Sequence, residues 1–239
     1  MKPALRRRRV GAVIASVILL IVTLWNTPEL HHVITQPTLP VTQPEPVATP
    51  VAPGTARDLL AQLDVKGRAP KTDYRRDQFG SGWESVAGCD TRNRILKRDL
   101  QSVIENDRCQ VVSGILKDPY TGTQIQFERG EMSSQAVQID HVVALSNAWQ
   151  TGAQQLTPDE RAEFSNDPLN LLAVDGDANQ EKSDSDAATW LPPNKAFRCQ
   201  YVARQIAVKH TYNLWVVPPE KDAMERVLAT CPDHPLPQR

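Results

Sequence analysis

Two stretches of the chain hold residue types that could do chemistry together. Gln138-Ile139-Asp140-His141-Val142-Val143-Ala144-Leu145 sets an acid beside an imidazole. Asn170-Leu171-Leu172-Ala173-Val174-Asp175-Gly176-Asp177-Ala178-Asn179-Gln180-Glu181-Lys182-Ser183-Asp184 adds carboxamides, a lysine and further acids. Such a set suits one metal ion beside one base. The elements that must position it are legible from periodicity. The first stretch alternates polar and apolar residues and then turns β-branched, which predicts a strand with Asp140 and His141 in its middle. The second runs apolar to Asp175-Gly176, a turn dipeptide, and then turns polar enough to start a helix. The expected unit is strand, excursion, strand, turn, helix.

This two-part pattern resembles the HNH nucleases, whose shared core is the ββα-metal motif. Asp-His on the first strand, Asn followed nine residues later by Asn, then Lys-Ser-Asp is similar to the HNH part of GmrSD-type restriction enzymes and of CRISPR effectors. Here it is met by Asp140, His141, Asn170, Asn179, Lys182, Ser183 and Asp184. An Asp-His dipeptide alone would say little, and for His141 alone the plain alternative is a structural histidine in a half-buried strand. The two-part match is far more specific.

The resemblance implies hydrolysis of a phosphodiester with one divalent ion, Mg²⁺ first, with Mn²⁺ or Zn²⁺ as alternatives. Such an ion neutralises charge in the transition state and helps the leaving 3′-oxygen. By the same resemblance Asp140 and Asn179 give the ion a carboxylate and an amide oxygen, and His141 is the general base, a role its near-neutral pKa suits. Asn170 fixes the imidazole, through the ring or through the loop that carries it. Lys182 lies one turn after Asn179 on the same helix face and either touches a phosphate or pairs with Asp186. Asp175, Asp177 and Asp184 suit turn and cap roles better than ligation.

Charge is unevenly placed. Met1 to Arg9 carries five of the 27 basic side chains, and Glu29 and Glu45 are the acids before Arg57. The remainder holds 22 basic against 26 acidic residues, a net charge of −4, whereas a non-specific nucleic-acid binder is usually basic. Net charge is not local potential, so the imbalance predicts modest, salt-sensitive affinity and little sequence specificity. Val10 to Trp25 is an apolar run behind the arginines, a little short of the roughly 20 residues of a spanning helix. Asn26-Thr27-Pro28-Glu29-Leu30 offers a poor cleavage site, which favours an uncleaved signal-anchor with the domain outside, secretion after cleavage being the alternative. Residues 27–54 carry seven prolines and read as an extended spacer. The expected organisation is a basic cytoplasmic tail (1–9), an anchor or signal core (10–26), a Pro-rich linker (27–54) and an HNH nuclease-like domain (55–239) with its ββα core near 135–190.

Cys89, Cys109, Cys199 and Cys231 form no C-x-x-C pair, and His210 and His234 sit in no ligand-like spacing, which argues against a zinc cluster. An even count in an exported domain favours two disulfides. Of three connectivities, Cys89–Cys109 and Cys199–Cys231 each close a modest loop. The glycine-rich segment Tyr74 to Trp83 reads as a loop packed on the core. Asp90 or Thr91 can cap a helix whose apolar stripe is Ile95, Leu96 and Leu100, with Arg92, Arg94, Lys97 and Arg98 opposite. Of these, Arg92, Arg94 and Lys97, with Lys182, are candidate phosphate contacts; a solvated helix face is the plain alternative. A hairpin (Cys109–Lys117, Thr123–Phe127), a helix from Ser146 to Gln155, a capping box at Thr157 with a helix to Phe164, and two late helices complete an α+β class. The Trp190–Pro193 segment is expected to stop the motif helix.

The first reading is therefore a metal-dependent, non-specific endonuclease outside the cytoplasmic membrane, acting on nucleic acid, DNA before RNA, and tethered to the membrane. No protein partner is evident. A non-catalytic cell-envelope module that keeps the fold for binding is the alternative. A metal hydrolase of another substrate is more distant, for want of H-E-x-x-H or G-x-S-x-G.

Overall fold

The structure, a computed structural model, describes residues 54–130 and 133–237. The predicted tail, membrane segment and linker lie outside the described residues. Among the described residues no helix is long and apolar enough to cross a membrane. The elements in chain order are α1 (Ala56–Leu60), a 3₁₀ turn (Arg76–Phe79), β1 (Ser85–Val86), β2 (Cys89–Asp90), α2 (Thr91–Asp99), β3 (Leu100–Glu105), β4 (Val111–Lys117) and β5 (Gln124–Glu128). They continue with β6 (Val137–His141), α3 (Leu145–Gln150), α4 (Pro158–Asn166), β7 (Leu171–Asp175), α5 (Gly176–Lys182), α6 (Arg198–Thr211) and α7 (Pro218–Leu228). The class is α+β, with small antiparallel sheets β1-β2, β3-β4-β5 and β6-β7.

The β6-β7 pair is covered on both faces, which explains why Leu171 to Val174 is an unbroken apolar run rather than an alternating one. Leu171 and Ala173 join Val137 and Ile139 in a core with Ile95 and Leu96 of α2 and Leu116 and Phe127 of the three-stranded sheet. Leu172 and Val174 face the other way, into a core with Leu59 and Leu60 of α1, Tyr201 and Ile206 of α6, and Met224 and Leu228 of α7. A third cluster gathers Phe79, Trp149, Phe164, Val208 and Tyr212.

Local signals account for several element boundaries. Asp90 Oδ1 accepts the Asn93 amide at 2.7 Å and so caps α2. Thr157 and Glu160 form the expected reciprocal box, with Pro158 in the first turn of α4. Both expected disulfides are present, with Cα–Cα distances of 5.3 Å for Cys89–Cys109 and 6.5 Å for Cys199–Cys231. The latter ties α6 to the chain just beyond α7.

Three expectations need correction. The Asp-His pair ends its strand instead of sitting mid-strand, because the Val142 and Val143 amides are taken by the Asn170 carbonyl and Oδ1, each at 2.8 Å. The helix after Ser146 stops at Gln150, where the chain turns through Gly152 at φ 128°. The motif helix stops at Lys182, with Ser183 at φ 51°, well before Pro192. Strand β3 was not foreseen at all.

Candidate active site

The site is built where α5 returns over β6. Register places Gln138 opposite Val174 and Asp140 opposite Leu172, so these two polar residues share one face of the strand. Helix residues three apart meet strand residues two apart across that face. The Asn179 amide group donates to Gln138 Oε1 at 2.8 Å, and the Lys182 ammonium donates to Asp140 Oδ1 at 2.9 Å. Asp175 Oδ1 caps α5 by accepting the Ala178 amide at 2.8 Å. Gly176 is required by close approach: its amide meets the Ala136 carbonyl at 3.0 Å, and a Cβ there would run into the Gln135 carbonyl oxygen.

Asp140 is held at both carboxylate oxygens. Tyr120, in the turn between β4 and β5, donates its hydroxyl to Oδ2 at 2.5 Å. Lys182 has no solvent exposure and also donates to the His141 carbonyl at 2.9 Å. It pairs with Asp140, while Asp186 pairs with Arg68 at 2.5 Å. Burial pushes the Asp140 carboxyl above its ordinary value, against the pull of Lys182 and Tyr120. Burial, then the Asp140 charge, raises the Tyr120 phenol well above its own.

His141 is 7% exposed. Its Nε2 lies 2.9 Å from the Ser165 carbonyl oxygen. A carbonyl only accepts, so Nε2 carries the proton and Nδ1 is left as the acceptor. The Trp83 indole stacks on the ring, with centroids 5.7 Å apart and planes at 11°. Burial lowers the imidazole pKa to about 3, against the Ser165 carbonyl, which raises it; Arg76 and Lys182 add to the lowering. The ring is therefore neutral at physiological pH. Ser165 also donates its hydroxyl to the Phe79 carbonyl at 2.7 Å, so one residue at the end of α4 holds both the imidazole and the Arg76–Phe79 turn.

Asn170 is fully buried and holds the loop, not the ring. Its Oδ1 accepts the Val143 amide, and its Nδ2 donates to the Val143 carbonyl at 3.3 Å.

A polar cleft of about 650 Å³ wraps the end of β6. Asp140, His141 and Asn179 border it, with Gln138, Ser146, Ser183, Asp184, Lys71, Tyr74 and Arg76 among the rest. Asp184 Oδ2 accepts from Lys71 at 3.1 Å and from Ser146 at 2.9 Å, which hold its carboxyl below the ordinary value. A smaller pocket of about 110 Å³ on the Trp83 side of the ring is bordered by Arg76, Gly80, Gly82 and Ser165. Another cleft of about 530 Å³, lined by Glu84, Arg98 and Arg204 among others, touches none of Asp140, His141, Asn170 and Asn179.

The candidate phosphate contacts fall elsewhere. Arg92 donates to the Val137 carbonyl at 3.1 Å and so clasps β6, Lys97 pairs with Glu105 at 2.6 Å, and Arg94 is exposed. None of the three borders the 650 Å³ cleft, and the buried Lys182 ammonium is turned to Asp140. The cations of the cleft are Lys71 and Arg76, which the sequence reading passed over, as it did Tyr120, Trp83 and Ser165. A ligand-like group elsewhere, Cys89, Glu105 and Cys109, has both sulfurs joined in a disulfide, leaving no thiolate for an ion.

Residues 90–227 match the family described as GmrSD restriction endonucleases, C-terminal domain. A protein of Arthroderma benhamiae described as an uncharacterized secreted protein is 38% identical over 194 residues, covering 79% of this chain and 92% of the relative. With an Asp-His pair, an asparagine and a lysine brought together on a strand pair and the helix after it, and a second asparagine holding the loop beyond the histidine, the chain belongs to the GmrSD C-terminal domain family, an HNH-type nuclease family.

Proposed function

We propose that this protein is a metal-dependent, non-specific HNH endonuclease with a ββα-metal core formed by β6, β7 and α5, working outside the cytoplasmic membrane. One observation carries the reading: Asp140, His141 and Asn179 border the same polar cleft, and His141 is fixed in the tautomer that offers Nδ1 as an acceptor.

The residues fit a hard divalent ion such as Mg²⁺. Asn179 uses its NH₂ on Gln138, so its Oδ1 is the amide's remaining acceptor, and each Asp140 oxygen keeps a second lone pair. Asp140 and Asn179 would hold the ion, which when bound supplies charge neutralisation for the phosphate and the leaving oxygen. His141 Nδ1 takes a proton from the attacking water, and the Ser165 carbonyl keeps the other ring proton in place. Asn170 fixes the loop after His141, and Lys182 balances the Asp140 charge. Of the exposed cations of α2, Lys97 is paired with Glu105 and Arg98 with Asp99, whereas Arg94 makes no ion pair among the described residues and is available to backbone phosphates beyond the cleft.

Export is supported by two disulfides, by the printed description of the fungal relative as secreted, and by the cationic start followed by an apolar run. A membrane tether through residues 10–26 and DNA as the preferred substrate remain part of the proposal. A second reading, a non-catalytic binding module, draws on the low exposure of His141 beneath Trp83.

Nicking of supercoiled plasmid in Mg²⁺ or Mn²⁺ separates the two. His141→Ala should slow it by roughly 10² to 10⁴. Equal rates for the two proteins would end the nuclease assignment and leave the binding module.

A further inference from the structure

We infer that the segment from Lys71 to Trp83, upstream of the residues that match the family, completes the cleft as a phosphate subsite, with the Arg76 guanidinium as its ligand-binding cation. The inference rests on the nuclease reading and names a contact for its substrate. Charge balance in the cleft is the argument. Its two carboxylates are already matched inside the protein, Asp140 by Lys182 at 2.9 Å and Asp184 by Lys71 at 3.1 Å. Next to Arg76, Arg75 is paired with Asp77 at 3.1 Å. Arg76 is exposed and makes no ion pair among the described residues, so the cleft keeps one uncompensated positive charge within a net acidic body.

Its position points the same way. Arg76 borders both the cleft that holds Asp140 and Asn179 and the small pocket over the His141 ring, so it flanks the imidazole from two sides. The turn that carries it is anchored. Phe79 is buried against Tyr74, Trp149 and Phe164, and its carbonyl takes the Ser165 hydroxyl. A guanidinium held on a fixed turn can bind a phosphate through two parallel N–H donors, which a flexible lysine cannot copy. An exposed arginine left merely in solvent would need no such anchoring and would have no reason to border both cavities.

The test uses the full chain with Arg76→Met and Arg76→Lys, and Arg226→Met as a distant exposed control. Plasmid nicking in Mg²⁺ is measured for each. Binding of a fluorescein-labelled duplex and of a single strand is followed by anisotropy in EDTA over a salt series, in a His141→Ala background so that nothing is cut. Arg76→Met should lower kcat/KM by about 10²-fold, weaken binding, and reduce the salt slope by about 1. Arg76→Lys should restore the slope but only part of the rate. If Arg76→Met matches Arg226→Met in rate, affinity and slope while the wild type cuts, the phosphate subsite is wrong and the nuclease reading stands. If the wild type neither cuts nor binds either probe, the nuclease reading fails and takes the subsite with it.

Discussion

The Lys182 ammonium sits 2.9 Å from Asp140 Oδ1 with no surface open to water, a buried ion pair that joins α5 to β6. Breaking such a pair from one side leaves an uncompensated buried charge. Lys182→Met should therefore lose about 3–5 kcal/mol of stability in urea unfolding. Asp140→Asn combined with Lys182→Met should lose less than the two single changes added together. A Lys182→Met protein within about 0.5 kcal/mol of wild type would show that the pair does not hold the helix.

Tyr120 grips the same carboxylate from the other side, at 2.5 Å, and its ring lies among Trp190, Phe197 and Tyr201. Tyr120→Phe keeps the packing and removes only the hydroxyl. The expected cost is about 1.5–3 kcal/mol, the range for a hydrogen bond to a charged group. Chemical denaturation reads it directly, and an unchanged midpoint would mean that Lys182 alone holds the acid.

The parts of the site legible in the sequence are those set by local periodicity. Asp140 and Gln138 share a strand face because side chains alternate, and Asn179 and Lys182 share a helix face because they are three apart. Tyr120, Trp83, Arg76 and Ser165 come from turns and helix ends, and only folding decides what a turn residue meets. Tyr120 reads as one letter of an Asp-Pro-Tyr-Thr-Gly turn, yet its hydroxyl is the partner of the central acid. Strand β3 escaped because it does not alternate: its register against β4 shifts on either side of Ile104, Ser102 has φ 50°, and Ile104 is exposed. The end of α5 escaped because Ser183 adopts φ 51° with no glycine or proline to announce it.

His141 should stay neutral far below its ordinary pKa. Burial lowers the folded value to about 3 from 6.5. Between those values the unfolded chain binds a proton here that the folded chain does not. The group thus subtracts nothing from stability above about pH 6.5, and subtracts progressively more as pH falls towards 3. In the metal-free protein, ¹⁵N NMR should show the His141 ring untitrated at pH 5. Trp83→Ala opens the ring to water and should raise its pKa towards 6.5. A wild-type midpoint near 6.5 would mean that the Trp83 stack does not exclude water from the imidazole.

Gly176 offers the sharpest test of how the helix is aimed. It joins β7 to α5 where the chain passes closest to Gln135 and Ala136, with its amide 3.0 Å from the Ala136 carbonyl. A methyl group there would meet the Gln135 carbonyl oxygen and lie 3.1 Å from Gln138 Nε2. Neither neighbour is the end of a free side chain: one is backbone, and the other belongs to the side chain that holds Asn179. Gly176→Ala should cost about 1–3 kcal/mol through overpacking. It should also lower nicking activity further than that loss of folded protein explains, because Asn179 and Lys182 move with the helix. Gly67→Ala is the matched control, since a Cβ there meets nothing within 4 Å. If Gly176→Ala behaves like Gly67→Ala in both melting and activity, the close approach at this junction does not set the position of Asn179 and Lys182.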